Sequence, residues 1–177
     1  MSDVSFRALG ALLSYPVPEL TASVTEIRQT LAVGTVLSGT TVAGLNTLLE
    51  HLATKPLLDL EEEYVATFDR DARASLFLYE HLYGQARDRG PALIELRRFY
   101  GHNGWEQTGA EFPDYLPLIC EFLSLSSPVT VTETVVRLAP ALTALSGYLT
   151  GRRSPYAAVP AAIAELAGNA ADRNKEA

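Results

Sequence analysis

The sequence predicts an all-α protein, folded as a single bundle-like domain of about eight or nine helices. Three observations support this prediction. Apolar residues recur at intervals of three and four along most of the 177-residue chain, which places them on one face of an α-helix. Proline and glycine separate these stretches. The β-branched run at residues 129–131 could pass for a strand, but no partner strand appears nearby.

The first four helices are predicted over residues 6–13, 20–31, 41–53 and 59–68. Proline cannot continue a helix, so Pro16 ends the first helix and Pro56 ends the third. Gly34 suits the end of the second helix. Asp59 and Glu62 have the spacing of a helix capping pair at the start of the fourth.

Five further helices are predicted over residues 75–83, 91–100, 111–122, 129–150 and 155–167. The third of these is expected to begin with residues 111–114, which include Glu111, Pro113 and Asp114. A helix tolerates proline in its first turn, and the helix dipole favours acidic groups there. Residues 1–167 are therefore assigned to one all-helical domain. The polar residues 168–177 are expected to form a frayed tail.

Charge and composition exclude several classes of protein. The net charge is −7, and the central residues 61–121 carry six basic and twelve acidic groups. Nucleic acid is not an expected partner because its phosphates require clustered Lys and Arg. A cationic partner fits better, although net negative charge also simply keeps proteins dissolved. The single cysteine, the lack of a secretory signal and the lack of a membrane span predict a cytoplasmic protein.

Catalytic and cofactor motifs are missing from the sequence. It contains no nucleotide-binding glycine loop, no nucleophile elbow and no Glu-x-x-His pair. Glu80 and His81 are adjacent, but neighbouring helical residues point about 100° apart. Cys120 follows an apolar residue on a predicted buried face, which favours a structural role. We expect no metal, no cofactor and no enzymatic activity.

Four stretches together carry a family resemblance. They are residues 12–16 (Leu-Leu-Ser-Tyr-Pro), residues 63–69 (Glu-Tyr-Val-Ala-Thr-Phe-Asp), residues 75–81 (Ser-Leu-Phe-Leu-Tyr-Glu-His) with 87–92 (Arg-Asp-Arg-Gly-Pro-Ala), and residues 111–118 (Glu-Phe-Pro-Asp-Tyr-Leu-Pro-Leu). In this order and spacing they resemble the NarJ-type chaperones. This family comprises the nitrate reductase molybdenum cofactor assembly chaperones, or delta subunits, within the redox-enzyme maturation proteins that serve twin-arginine-type substrates.

The resemblance implies a cytosolic chaperone that is absent from the finished enzyme. Such proteins bind the N-terminal segment of the nitrate reductase α subunit and hold the apo-enzyme for insertion of molybdenum cofactor and iron–sulfur centres. The membrane would then be involved only indirectly, through the partner enzyme. The lack of catalytic motifs fits this role, and the acidic central third fits a partly basic peptide ligand.

Eleven residues are predicted to bind the peptide, all from the stretches that carry the resemblance or directly after them. They are Tyr64, Phe68, Asp69, Glu80, His81, Glu111, Asp114, Tyr115, Leu118, Glu121 and Phe122. Core packing is an alternative role for the aromatic members, and helix capping for Glu111 and Asp114. Charge reversal at Asp114 and Glu121 is expected to weaken binding without unfolding the protein.

Three other functions remain open from the sequence. The first is a sister chaperone for a dimethyl sulfoxide, trimethylamine oxide or formate enzyme. The second is a small helical hydrolase or metalloenzyme that uses Glu80, His81 and His102. The third is a helical adaptor with an unrelated cationic partner.

Overall fold

The fold is all-α, as predicted from the apolar spacing. A computed structural model describes residues 4–84 and 86–175, without the side chains of residues 34 and 171–175. Ten α-helices lie within these residues: α1 (Val4–Leu12), α2 (Pro18–Ala22), α3 (Val24–Gly34), α4 (Gly39–Thr54), α5 (Leu57–Tyr64), α6 (Leu78–Tyr83), α7 (Arg89–His102), α8 (Leu116–Leu125), α9 (Pro128–Gly151) and α10 (Ala158–Lys175). A π-helical turn at Val65–Asp69 follows α5, and short 3-10 turns occupy Ala72–Ala74 and Pro155–Ala157.

One hydrophobic core holds these helices together. Helix α1 packs along α8 and α3, while α9 packs along α10 and α6. The apolar positions that predicted α4 are all buried: Leu45, Leu48, Leu49 and Leu52. Helix α10 also contacts α4 and α1. It therefore joins the first and last parts of the chain.

Several predicted helix boundaries are wrong, and the helix predicted over residues 75–83 begins only at Leu78. The helix predicted over residues 111–122 begins only at Leu116, because a turn closed by the Tyr115 N–H and the Phe112 carbonyl oxygen comes before it, and Tyr115 then pairs with Phe77. The helix predicted over residues 20–31 is two helices, which meet at Ser23. The Ser23 backbone N–H donates to Glu19 and Leu20.

The final helix extends beyond the predicted domain boundary at residue 167. Helix α10 continues through Lys175, and Ala170 is buried. Residues 176–177 of the predicted tail lie outside the described residues. The fraying predicted for residues 168–177 stays a prediction.

A polar contact fixes α10 against α4. Glu165 of α10 accepts hydrogen bonds from the Ser38 backbone N–H at 2.8 Å, the Ser38 hydroxyl at 3.0 Å and the Thr41 hydroxyl. Ser38 is also the N-cap of α4. Among the described residues, no helix combines the length and apolar character needed to cross a membrane.

Candidate functional site

A surface groove between α1 and α8 brings four of the predicted residues together. Its volume is about 410 Å³. We call it the α1–α8 groove. One wall is formed by Arg7, Gly10, Ala11 and Ser14, and the other by Glu111, Tyr115, Pro117, Leu118 and Glu121. Glu111 and Glu121 are exposed, while Tyr115 and Leu118 are half-buried. The groove thus combines apolar surface with two accessible carboxylates.

Gly10 sets how closely the two walls approach. A Cβ atom at this position would lie 2.8 Å from Cys120 Cβ and 3.1 Å from the Pro117 carbonyl oxygen. Only glycine permits this packing without displacement of α8. Pro117 itself lies in the first turn of α8, where its missing N–H breaks no helical hydrogen bond.

Asp114 does not line this groove. Its side chain is 0% exposed, and Oδ2 accepts a hydrogen bond from the Tyr79 backbone N–H at 3.1 Å. The Asp114 carbonyl oxygen accepts from the Leu78 N–H at 3.0 Å. Asp114 therefore holds the start of α6 from the turn that precedes α8. The predicted capping role therefore applies to α6 and not to α8, the helix that follows Asp114 in the chain.

A small ion-pair network surrounds this buried carboxylate. Arg89 lies 3.5 Å from Asp114 Oδ2 and 3.3 Å from Glu80 Oε1. Burial raises the pKa of Asp114, while the Tyr79 N–H and Arg89 act in the opposite direction. Asp114 Oδ1 has no hydrogen-bond partner among the described residues, which is consistent with costly desolvation. Glu80 and Asp114 thus share one cation.

His81 and Glu80 do not form an acid–base pair. The His81 Nε2 atom lies 2.8 Å from the Ser75 carbonyl oxygen and donates to it, whereas Glu80 pairs with Arg89. His81 therefore ties α6 to the segment before it. No group of three or more His, Cys, Asp or Glu side chains suited to holding a metal occurs within the described part of the chain.

Tyr64 and Phe68 belong to an aromatic cluster with the buried Tyr156 and the exposed Tyr15. The Tyr64 ring centroid lies 4.8 Å from Phe68 and 5.4 Å from Tyr15, and Phe68 lies 5.0 Å from Tyr156. The Tyr64 hydroxyl donates to the Leu13 carbonyl oxygen, and burial raises its pKa. Asp69, by contrast, is exposed. The cluster adjoins the α1–α8 groove, because the Tyr64 hydroxyl interacts with that of Tyr115, which lines the groove.

Phe122 lies on the buried face of α8 and is 1% exposed. Its ring centroid lies 4.4 Å from Tyr100, 5.7 Å from Trp105 and 6.0 Å from Phe99. This position matches core packing, the alternative role that the sequence leaves open for the aromatic residues. Four of the eleven predicted residues, namely Tyr64, Phe68, Asp114 and Phe122, are thus buried, and a peptide reaches none of them directly without rearrangement.

Sequence reasoning missed the α1 wall of the groove. Arg7, Gly10 and Ala11 precede the first quoted motif, and Ser14 lies inside it. The spacing of the neighbouring apolar residues Phe6 and Leu9 indicates which face of α1 is buried in the core, but it does not indicate a role for the opposite face. Gly10 is the one indication of this wall in the sequence, because a glycine in the middle of a predicted helix often marks a place where another backbone packs closely against that helix.

Cys120 is expected to be unreactive in the folded protein. The thiol is fully buried against α1, and burial raises its pKa. A thiol reagent such as 5,5′-dithiobis(2-nitrobenzoic acid) should react slowly under native conditions and quickly in denaturant. Fast reaction in the native state, at a rate independent of denaturant, would contradict this packing.

The described residues form an all-helical protein with an open groove between α1 and α8. The model of the family described as "Nitrate reductase delta subunit" matches residues 37–162. This match covers more than half of the sequence, and the chain belongs to the nitrate reductase delta subunit family.

Individual relatives agree with this assignment. The chain is 34% identical over 166 residues to the nitrate reductase molybdenum cofactor assembly chaperone NarJ of Escherichia coli K12, covering 94% of this chain and 70% of that protein. It is 38% identical over 125 residues to the probable chaperone NarW of the same strain, covering 71% and 54%. The probable NarJ of Bacillus subtilis is 32% identical over 120 residues, covering 68% and 64%.

Proposed function

We propose that this protein is a chaperone for the assembly of a respiratory nitrate reductase. It binds the N-terminal segment of the catalytic α subunit and holds the apo-enzyme in the cytoplasm while molybdenum cofactor and iron–sulfur centres are inserted. Family membership and the chaperone names of the relatives support the general role. The α1–α8 groove supports the binding of a segment.

The observation that carries the proposal is the composition of this groove. Tyr115 and Leu118 supply half-buried apolar surface beside the exposed carboxylates of Glu111 and Glu121. An amphipathic helix binds such a surface through its apolar residues. Leu118 and Glu121 come from α8, and Glu111 and Tyr115 come from the segment directly before it.

Charge gives the bound segment an orientation. Arg7 lies on the α1 wall, whereas Glu111 and Glu121 lie on the opposite wall. Basic side chains of the segment are therefore attracted toward α8 and repelled from Arg7. Complementary charge of this kind sets orientation and encounter rate more than affinity.

The proposal places direct contact with the peptide on four of the eleven predicted residues. The buried residues Tyr64, Phe68, Asp114 and Phe122 support the surrounding helices instead. A direct role for Asp69, Glu80 and His81 stays a prediction. Ordering a flexible segment costs several kcal/mol, so we expect a dissociation constant on the order of micromolar to tens of nanomolar. Such affinity suits a partner that is later released.

Charge reversal at Glu111 and Glu121 is expected to weaken peptide binding about tenfold. The peptide is the N-terminal 15–30 residues of the α subunit from the same organism, and isothermal titration calorimetry measures the dissociation constant. Added salt should weaken wild-type binding and have less effect on the E111K/E121K variant, because screening acts on the removed charges.

The matched control is E106K/E133K, which changes the net charge equally at two exposed sites outside the groove. It should bind the peptide within about twofold of wild type. Equal weakening by both variants would show that only net charge matters. Wild-type protein that fails to bind a soluble peptide would refute the proposed function.

A further inference from the structure

Helix α7 presents apolar residues on two of its faces. One face is buried through Ala92, Leu96 and Tyr100. The other carries Leu93, Ile94, Arg97 and Arg98, at the three-and-four spacing of a single helical stripe. Ile94 is 57% exposed. Leu93 is half-buried against the core, so Ile94 is the apolar residue of this face that the core does not account for.

The outer face of α7 borders a concave surface. Phe112, 56% exposed, and Pro113 form the opposite side, and the enclosed volume is about 690 Å³. We call this region, lined by Leu93, Ile94, Arg97, Arg98, Phe112 and Pro113, the α7 surface. Its exposed apolar side chains are Ile94 and Phe112, while Leu93 is half-buried and Pro113 buried. Large apolar side chains exposed beside a concavity are typical of an interaction site.

The charge of the α7 surface is opposite to that of the α1–α8 groove. Arg97 and Arg98 are exposed at one end of the apolar patch, and neither forms an ion pair with another side chain that the structure describes. Glu111 lines both regions and separates them. A basic segment that suits the groove is disfavoured here, whereas carboxylates complement the two guanidinium groups.

We propose that the α7 surface binds an acidic amphipathic segment of the client protein. Apolar side chains of this segment contact Leu93, Ile94 and Phe112, and carboxylates pair with Arg97 and Arg98. This proposal rests on the proposed function, since it assigns the segment to the same client. The chaperone then holds its client at two places of opposite charge, on either side of Glu111.

Charge reversal of the two arginines tests this proposal. The R97E/R98E variant is expected to bind the full-length apo α subunit about tenfold more weakly than wild type in a surface-capture kinetic assay. Its affinity for the N-terminal peptide should stay within about twofold, because the groove is unchanged. The matched control R152E/R153E alters two exposed arginines at the end of α9 and should retain full-length binding.

A photo-crosslinking residue at position 94 identifies the bound segment. We expect it to capture a stretch of the apo α subunit that is rich in Asp, Glu and apolar residues. Unchanged full-length affinity in R97E/R98E, or capture of a basic stretch, would overturn the proposal. Wild-type protein that fails to bind the N-terminal peptide refutes the groove assignment separately, because the crosslink and the full-length comparison do not depend on that peptide.

Discussion

Replacement of Asp114 by alanine is expected to lower the free energy of unfolding by about 3 kcal/mol. The substitution removes the acceptor for the Tyr79 backbone N–H at the start of α6. It also removes one of the two carboxylates that pair with Arg89 and leaves only Glu80. A buried donor left without a partner costs its full desolvation penalty. Urea denaturation followed by circular dichroism measures the change.

Two further variants separate the contributions at this site. Asp114→Asn keeps an oxygen that accepts from Tyr79 but loses the charge, so it should cost less than Asp114→Ala. Asp69→Ala removes an exposed carboxylate and should change stability by less than about 0.5 kcal/mol. A loss below about 1 kcal/mol in Asp114→Ala would contradict the capping role.

The pH dependence of Asp114→Asn adds an independent check. Burial raises the pKa of Asp114 above its ordinary value, so the folded protein binds this proton more readily than the unfolded chain. Stability from this group therefore increases as the pH falls through the raised pKa. The difference in the free energy of unfolding between wild type and Asp114→Asn should therefore increase as the pH is lowered through the pKa of Asp114.

This position also changes how charge reversal must be interpreted. The sequence predicts that lysine at Asp114 weakens peptide binding without unfolding the protein, but a buried lysine beside Arg89 would leave two cations together. We expect it to disrupt folding. For this reason, the binding test uses Glu111 and Glu121 instead.

Gly10→Ala is expected to destabilise the protein by about 1–3 kcal/mol. The new methyl group would lie 2.8 Å from Cys120 Cβ and 3.1 Å from the Pro117 carbonyl oxygen. Neither atom is the end of a flexible side chain, so α1 and α8 must move apart. Urea denaturation measures the stability, and the same variant should bind the peptide less tightly because the groove widens.

Gly147→Ala is the matched control for this prediction. Gly147 lies inside α9, is exposed, and has no neighbour within 4 Å of an added Cβ. Alanine there should stabilise the protein by about 0.5–1 kcal/mol, since glycine costs conformational entropy in a helix. If Gly10→Ala stabilised the protein in the same way, the close approach of α1 and α8 would be refuted.

Local patterns predicted most of the helices because those patterns depend on neighbouring residues. Leu45, Leu48 and Leu52 recur at helical spacing, and all three are buried in α4 as expected. The fold class follows from many such stretches together. The break at Ser23 was missed because apolar residues continue in helical register on both sides of it.

Contacts between distant segments were not predictable in the same way. Glu111, Pro113 and Asp114 have the composition of a helix start, yet residues 113–114 form a turn. The Leu116 N–H donates to the Leu76 carbonyl oxygen at 2.8 Å, a contact with a distant segment that local composition does not indicate. The α1 wall of the groove lies more than 90 residues from α8 in sequence. The spacing of apolar residues indicates which side chains face the core, but it does not indicate which other helix those side chains contact.

The position of Trp105 gives the protein a built-in optical reporter. It is the only tryptophan in the chain, and it packs edge-on against Tyr100 with the ring centroids 5.2 Å apart. Its other neighbour, Phe122, belongs to α8, the helix that also presents Leu118 to the groove. Excitation at wavelengths absorbed by indole alone therefore monitors the back of the helix on which a peptide is proposed to dock, and the emission of unlabelled protein can follow that event in real time.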